Sequence, residues 1–250
     1  MARRRRIRPE HLPTSLAGVH APPAPGRAAR RSVLRDAAAV GLATGAYGLS
    51  FGALSAGAGM SLGQTAALSL LMFTGASQFA LVGILGAGGG AVTAAATAIL
   101  LGTRNAFYGL KLAGLLHVRG VKRLLAAQLV IDESSAMAIA RDEPELARLG
   151  FWATGAAVFA LWNLATLVGA LGAQELASPQ ALGLDAAAPA AFIALLAPRL
   201  RGRIAWTVAV CAAAASVVLT PLLPSGLPVL VAALGALGLA AGARRSEAPA

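Results

Sequence analysis

The residues able to do chemistry fall between Gly75 and Ser135, and their types fit a small zwitterion better than a covalent reaction. Gly75-Ala76-Ser77-Gln78-Phe79 puts a backbone-loosening glycine beside a hydroxyl, a carboxamide and an aromatic ring. Glycine lets a helix unwind, and the freed amides, the Ser77 hydroxyl and the Gln78 amide can then meet a polar ligand. The competing reading makes Ser77 and Gln78 the glue to a neighbouring helix. Further on, Thr93, Thr97, Arg104, Tyr108 and Lys111 recur at helical spacing on one face, with Asn105 at its edge. An Arg at mid-bilayer depth costs ~2.5–3.5 kcal/mol on insertion scales, so Arg104 must face a partner or a water-filled cavity. Otherwise it marks a helix end, and Lys111 snorkels to the interface. Gln128, Asp132 and Ser135 share a third face, with Glu133 adjoining. A carboxylate embedded near an Arg can exchange a proton in each transport cycle. On an amphipathic surface helix, Asp132 and Glu133 would be solvated charges.

Together these groups make a scheme for an amino acid. The backbone at Gly75 to Ser77 and Arg104 would receive a carboxylate, with Gln78, Asn105 and Tyr108 alongside. Asp132 or Glu133 would accept an ammonium or carry a coupling proton. Phe79 and Phe192 would form the apolar wall. Phe192 enters because Ala188-Pro189-Ala190-Ala191-Phe192 repeats the spacing of a helix breaker followed by Phe, as an internal repeat would. No phosphate-binding glycine loop, nucleophile elbow or metalloprotease motif is present, and neither an enzyme nor a bound cofactor or metal is expected.

The elements holding these groups are hydrophobic helices. From Ala37 to Thr103 there is no Asp, Glu, Lys or Arg, a length that holds two or three bilayer crossings at about 20 residues each. Hydrophobic residues make up 57% of the chain and charged ones 12%; that balance excludes an ordinary globular or disordered protein. The expected class is an all-α polytopic membrane protein of six to eight transmembrane segments, some broken or re-entrant. Candidate segments are Asp36–Ala58, Ser61–Gly86, Ala91–His117, Leu124–Ala140, Gly150–Ala173, Leu184–Ala197, Ile204–Leu223 and Gly226–Gly242. In the first, Gly41, Gly45, Gly48, Gly52, Ser55 and Gly59 form a small-residue stripe suited to close helix packing.

Charge divides the chain into a basic leader (1–35) expected to be disordered and cytoplasmic, a transport domain (36–243) and a short cytoplasmic tail (244–250). Arg30-Arg31 resembles a twin-arginine signal, but the apolar run continues, so a retained first span is the better reading. The net charge of +11 would fit a nucleic-acid partner, yet the basic groups lie in the leader and short loops, as the positive-inside rule places them. Arg119, Lys122 and Arg123 conflict with that rule if the first three segments all cross. Either one of those segments is broken or re-entrant, or Leu124–Ala140 crosses and the basic turn is an exception.

Tyr47-Gly48-Leu49-Ser50-Phe51-Gly52-Ala53-Leu54, Phe73-Thr74-Gly75-Ala76-Ser77-Gln78-Phe79, Arg104-Asn105-Ala106-Phe107-Tyr108-Gly109-Leu110 and Asp132-Glu133-Ser134 resemble, in that order, the AzlC family, the large subunit of bacterial branched-chain amino-acid exporters. The likeness covers roughly Asp36 to Gly242. It implies proton-driven export of Leu, Ile, Val or similar amino acids across the bacterial inner membrane, with a small AzlD-like membrane subunit as partner and the N-terminus cytoplasmic. A transporter or channel for another small solute, or a non-transporting scaffold subunit, would use the same architecture.

Overall fold

A computed structural model describes residues 26–175, 193, 196–197, 200–224 and 226–246, and among them every regular element is an α-helix. The helices are α1 (Arg27–Gly57), α2 (Leu62–Leu71), α3 (Ala76–Gly86), α4 (Ala91–Leu116), α5 (Val121–Gln128), α6 (Asp132–Ile139), α7 (Pro144–Glu175), α8 (Arg203–Leu219) and α9 (Leu227–Ser246). Of these, Arg27–Gly57 and Pro144–Ala173 contain runs long and apolar enough to cross a bilayer unaided.

The spine is α1 against α7. A Cβ added at Gly41 would lie 2.8 Å from that of Ala157, one at Gly48 2.6 Å from the Trp162 carbonyl oxygen, and one at Gly52 2.0 Å from that of Thr166. From α7, Gly169 presses equally on the Leu49 carbonyl. These contacts advance together in residue number, so the two helices run parallel. The small-residue stripe is thus the α1–α7 seam, where absent side chains bring backbones into contact. Two stripe residues depart from it: Ser55 Oγ is hydrogen-bonded with Thr65 Oγ1 of α2 (2.7 Å), and Gly59 lies past the end of α1, exposed, with φ of 79°.

The segment expected as one span over Ser61–Gly86 is a helical hairpin. Helix α2 starts at a reciprocal cap, Gln64 N–H donating to Ser61 Oγ (3.2 Å) and Ser61 N–H to Gln64 Oε1 (2.8 Å). Its ten residues span about 15 Å, half a bilayer core. The chain then reverses at Met72–Gly75, and α3 returns to where α2 began: a Cβ at Gly86 would sit 3.1 Å from Ala58 Cβ, just past α1. Helix α4 runs back the other way, and at its far end Arg148 Nε donates to the Leu115 carbonyl (2.9 Å). Helices α5 and α6, covering the expected segment Leu124–Ala140, form a second hairpin that rises from this opposite end and reverses at Leu129–Ile131. Its return is fixed by Arg141, which pairs with Asp36 near the start of α1 (3.2 Å). The two hairpin tips meet, where Gln128 Nε2 donates to the Leu70 carbonyl (2.7 Å).

This topology removes the conflict in charge. Ser61–Gly86 enters and leaves at one end, so Arg119, Lys122 and Arg123 fall at the same end as Arg27 to Arg35, Arg141 and Arg148. Among the described residues, the opposite end, with residues 58–61, 87–90 and 220–224, carries no Lys or Arg. Helix α1 starts at Arg27 rather than at Asp36, so the last part of the expected leader is helical. Residues 1–25, the Pro189 to Phe192 match and most of the expected span Leu184–Ala197 lie outside the described residues.

Candidate functional site

Both hairpin tips are held open by the same device, a side chain three residues into the second helix that reaches back across the break. Gln78 Oε1 accepts from Gly75 N–H (3.1 Å), and its Nε2 donates to the Leu68 carbonyl of α2 (3.0 Å). Ser134 Oγ accepts from Ile131 N–H (3.2 Å) and donates to the Leu129 carbonyl at the end of α5 (2.5 Å). Backbone groups that the breaks would orphan are satisfied in this way. Gly75 takes φ 62°, ψ −91°, a conformation that L side chains rarely adopt.

Arg104, near the middle of α4, spans the two tips. Its Nη1 lies 2.9 Å from Asp132 Oδ2 at the start of α6, and its Nη2 donates to the Thr74 carbonyl at 3.4 Å. The pair is only partly covered, at 30% exposure for the Arg side chain and 15% for the Asp. A cavity of about 40 Å³ opens beside it, lined by Thr44 and Tyr47 of α1, Phe73 to Ala76, Phe79, Ile131 to Glu133, and Val158 and Trp162 of α7. That space holds on the order of three waters. Its apolar wall is an aromatic cluster, Trp162 stacked on Phe51 (centroids 6.0 Å, 24°) and edge-on to Phe79 (6.1 Å, 87°).

Several donors around this cavity have no protein acceptor. Trp162 Nε1, Thr74 Oγ1 and Arg104 Nε are buried without a hydrogen bond. The first-turn N–H groups of Ala76 and Ser77 have no intrahelical acceptor, and they carry the positive end of the α3 dipole. Carboxylates come from the opposite side, Asp132 and Glu133 in the first turn of α6. The cavity therefore has a donor side and an acidic side.

Of the residues singled out by sequence, Gly75, Ala76, Phe79, Arg104, Asp132 and Glu133 meet at this one cavity. Ser77 is buried just behind it, 3.5 Å from a Cβ added at Gly102 on α4. Gln78 is fully buried and engaged in the tip clamp, outside the lining. Asn105 borders a different cavity with Gln128, and Tyr108 packs on the cluster of Leu112 and Leu116. Phe192 lies outside the described residues. Sequence reasoning passed over Thr44, Tyr47, Thr74 and Trp162 as site residues. Asn163, the polar neighbour of Trp162, donates to the Phe159 carbonyl of its own helix (2.8 Å).

Two opposed helical hairpins, joined where Arg104 of α4 pairs with Asp132 of α6, define a class, helical bundles with broken helices around a central polar site. A family model described as AzlC protein matches residues 39–176, and the chain belongs to the AzlC family. That range holds most of α1, all of α2 to α7 and every described site residue; α8 and α9 lie beyond it. No curated protein and no solved structure matches the chain.

Proposed function

We propose that this chain is the larger subunit of a membrane transporter that exports branched-chain or similar hydrophobic amino acids, coupled to protons and completed by a small AzlD-like membrane subunit. The observation that carries the reading is the Arg104–Asp132 pair at the meeting point of two hairpin tips. Irregular backbone at membrane depth is tolerated only where protein buries it or where it lines a cavity, and both tips fit that condition. Basic residues gathered at one end support a bilayer orientation with that end, and the N-terminus, cytoplasmic.

Within this reading, Arg104 and the N-terminus of α3 receive the substrate carboxylate, and Asp132 or Glu133 takes the ammonium or the coupling proton. Phe79 and Trp162 form the apolar wall. A cavity of about 40 Å³ is too small for leucine, so the described state is closed and loading requires movement of a hairpin. No covalent step is involved.

The test is counterflow of labelled L-leucine into leucine-loaded proteoliposomes containing the purified protein, with its small partner subunit where the two co-purify. Saturable uptake is expected from the wild type and background uptake from Arg104→Ala. Wild-type flux through Arg104→Ala would overturn the assignment.

A further inference from the structure

We infer that Arg104 and Asp132 are the two halves of a zwitterion receptor that hold each other when the site is empty, and that a bound α-amino acid is inserted between them. This deepens the transport reading above and rests on it. The first observation is how incompletely Asp132 uses Arg104. The contact is a single one, Nη1 to Oδ2 at 2.9 Å. The remaining edge of the guanidinium has a long bond from Nη2 to the Thr74 carbonyl (3.4 Å) and a buried Nε with no partner. Nε and Nη2 together form the edge that a carboxylate grips by two parallel bonds.

The second observation is the division of the cavity. Residues lining the same cavity carry unpartnered donors: Thr74 Oγ1, the first-turn amides of α3, and Trp162 Nε1, whose side chain belongs to a residue only 3% exposed. Carboxylates occupy the side of α6. Charged or titratable groups lining the cavity are Arg104 from α4, Asp132 and Glu133 from α6, and Tyr47 from α1. An amino acid fits this polarity in one orientation: its carboxylate on the Nε–Nη2 edge, its ammonium replacing Arg104 Nη1 at Asp132. One ion pair is thereby exchanged for two, and neither buried charge is left uncompensated. Space for the substrate comes from swinging the α5–α6 hairpin away from α4, toward the end rich in basic residues. The Arg104–Asp132 bond is thus a gate opened by the substrate's own charges.

Two further consequences separate this from a generic polar cavity. A ligand lacking the ammonium sets a second carboxylate against Asp132 with one Arg to serve both. A ligand lacking the carboxylate sets a cation against Arg104. Wild-type protein should therefore bind L-leucine tenfold or more tighter than 4-methylpentanoate or L-leucinamide, with ~100-fold as the upper range for a partly covered pair. Asp132→Asn removes the repulsion and the ammonium acceptor together. In that variant 4-methylpentanoate should gain about tenfold and leucine should lose its advantage. Asp142→Asn, an exposed carboxylate in the turn between α6 and α7 and outside the cavity lining, should keep the wild-type ranking.

The experiment is isothermal titration of purified wild type, Asp132→Asn and Asp142→Asn with L-leucine, 4-methylpentanoate and L-leucinamide, on variants that remain monodisperse with wild-type helicity. The expected result is a ranking that collapses in Asp132→Asn alone. Unchanged ranking in Asp132→Asn overturns the inference. So does a wild type that binds 4-methylpentanoate as tightly as leucine, a measurement that stands even where Asp132→Asn fails to fold. Leucine counterflow with either result removes the inserted-zwitterion receptor only, whereas absence of both leucine binding and counterflow removes the transport reading with it.

Discussion

Gly75→Ala isolates the backbone conformation of the α2–α3 hairpin tip from every other contribution. No heavy atom outside its chain neighbours lies within 4 Å of a Cβ built on Gly75, so the substitution creates no clash. Its whole cost comes from φ 62°, ψ −91°, which an L residue adopts only under strain. Such strain is worth ~1–3 kcal/mol, about a 5- to 150-fold change in the population of this geometry. The chain escapes it by rotating residue 75 toward ordinary backbone angles. That rotation pulls its N–H away from Gln78 Oε1, 3.1 Å distant, and turns the first amides of α3 off the cavity. The matched control is Gly83→Ala, inside α3, also with nothing within 4 Å and with an ordinary φ. There alanine should stabilise by up to ~1 kcal/mol through helix propensity. Thermal midpoint in detergent and leucine counterflow should both fall for Gly75→Ala and hold for Gly83→Ala. Equal behaviour of the two variants would refute the argument that the tip needs this backbone conformation.

On the α1–α7 seam, Gly52→Ala would place a methyl 2.0 Å from the Thr166 carbonyl oxygen, and overpacking of this kind costs ~1–3 kcal/mol. Thermal unfolding should show that loss, while Gly57→Ala, with nothing within 4 Å, stays within ~0.5 kcal/mol of wild type. Gln78→Leu keeps the volume but frees the Gly75 N–H, while the Leu68 carbonyl keeps its bond from Met72 N–H (3.0 Å); at ~1–3 kcal/mol for a buried group left unpaired, the midpoint should fall about as far as for Gly52→Ala. A Gln78→Leu protein as stable as wild type would mean that the clamp does not hold the tip.

The features legible in the sequence were those written in residue types with strong backbone consequences. Steps of three and four between Gly41 and Gly52 identified the packing face, although the partner, α7, could not be read from a helix so evenly apolar. Gly75 with Ser77 and Gln78 marked a broken helix, but not that the broken halves turn back on themselves. That followed from tertiary contacts such as Gly86 on Ala58, and it explains why Arg119, Lys122 and Arg123 had looked misplaced. The second break was invisible because Leu129-Val130-Ile131 contains neither Gly nor Pro. It is imposed by Ser134 reaching back and by Gln128 bonding Leu70 across 58 positions of sequence. Trp162 was passed over for the same reason that α7 was: in a uniformly apolar helix, periodicity picks out no face. Arg104 and Asp132 stood out because an apolar helix tolerates such groups only with a partner, and each is the other's.

The most direct test of the central claim, that the space between the two hairpin tips is a substrate site within the bilayer, is accessibility at Thr74. Cys211 is the chain's single cysteine, so Thr74→Cys in a Cys211→Ala background gives one reporter beside Arg104. Labelling by a membrane-impermeant thiol reagent added to sealed inside-out vesicles, which present the basic end outward, should be far slower than at an exposed control, Lys122→Cys, and slower again with saturating L-leucine. Labelling at Thr74→Cys as fast as at Lys122→Cys, with no effect of leucine, would contradict the account.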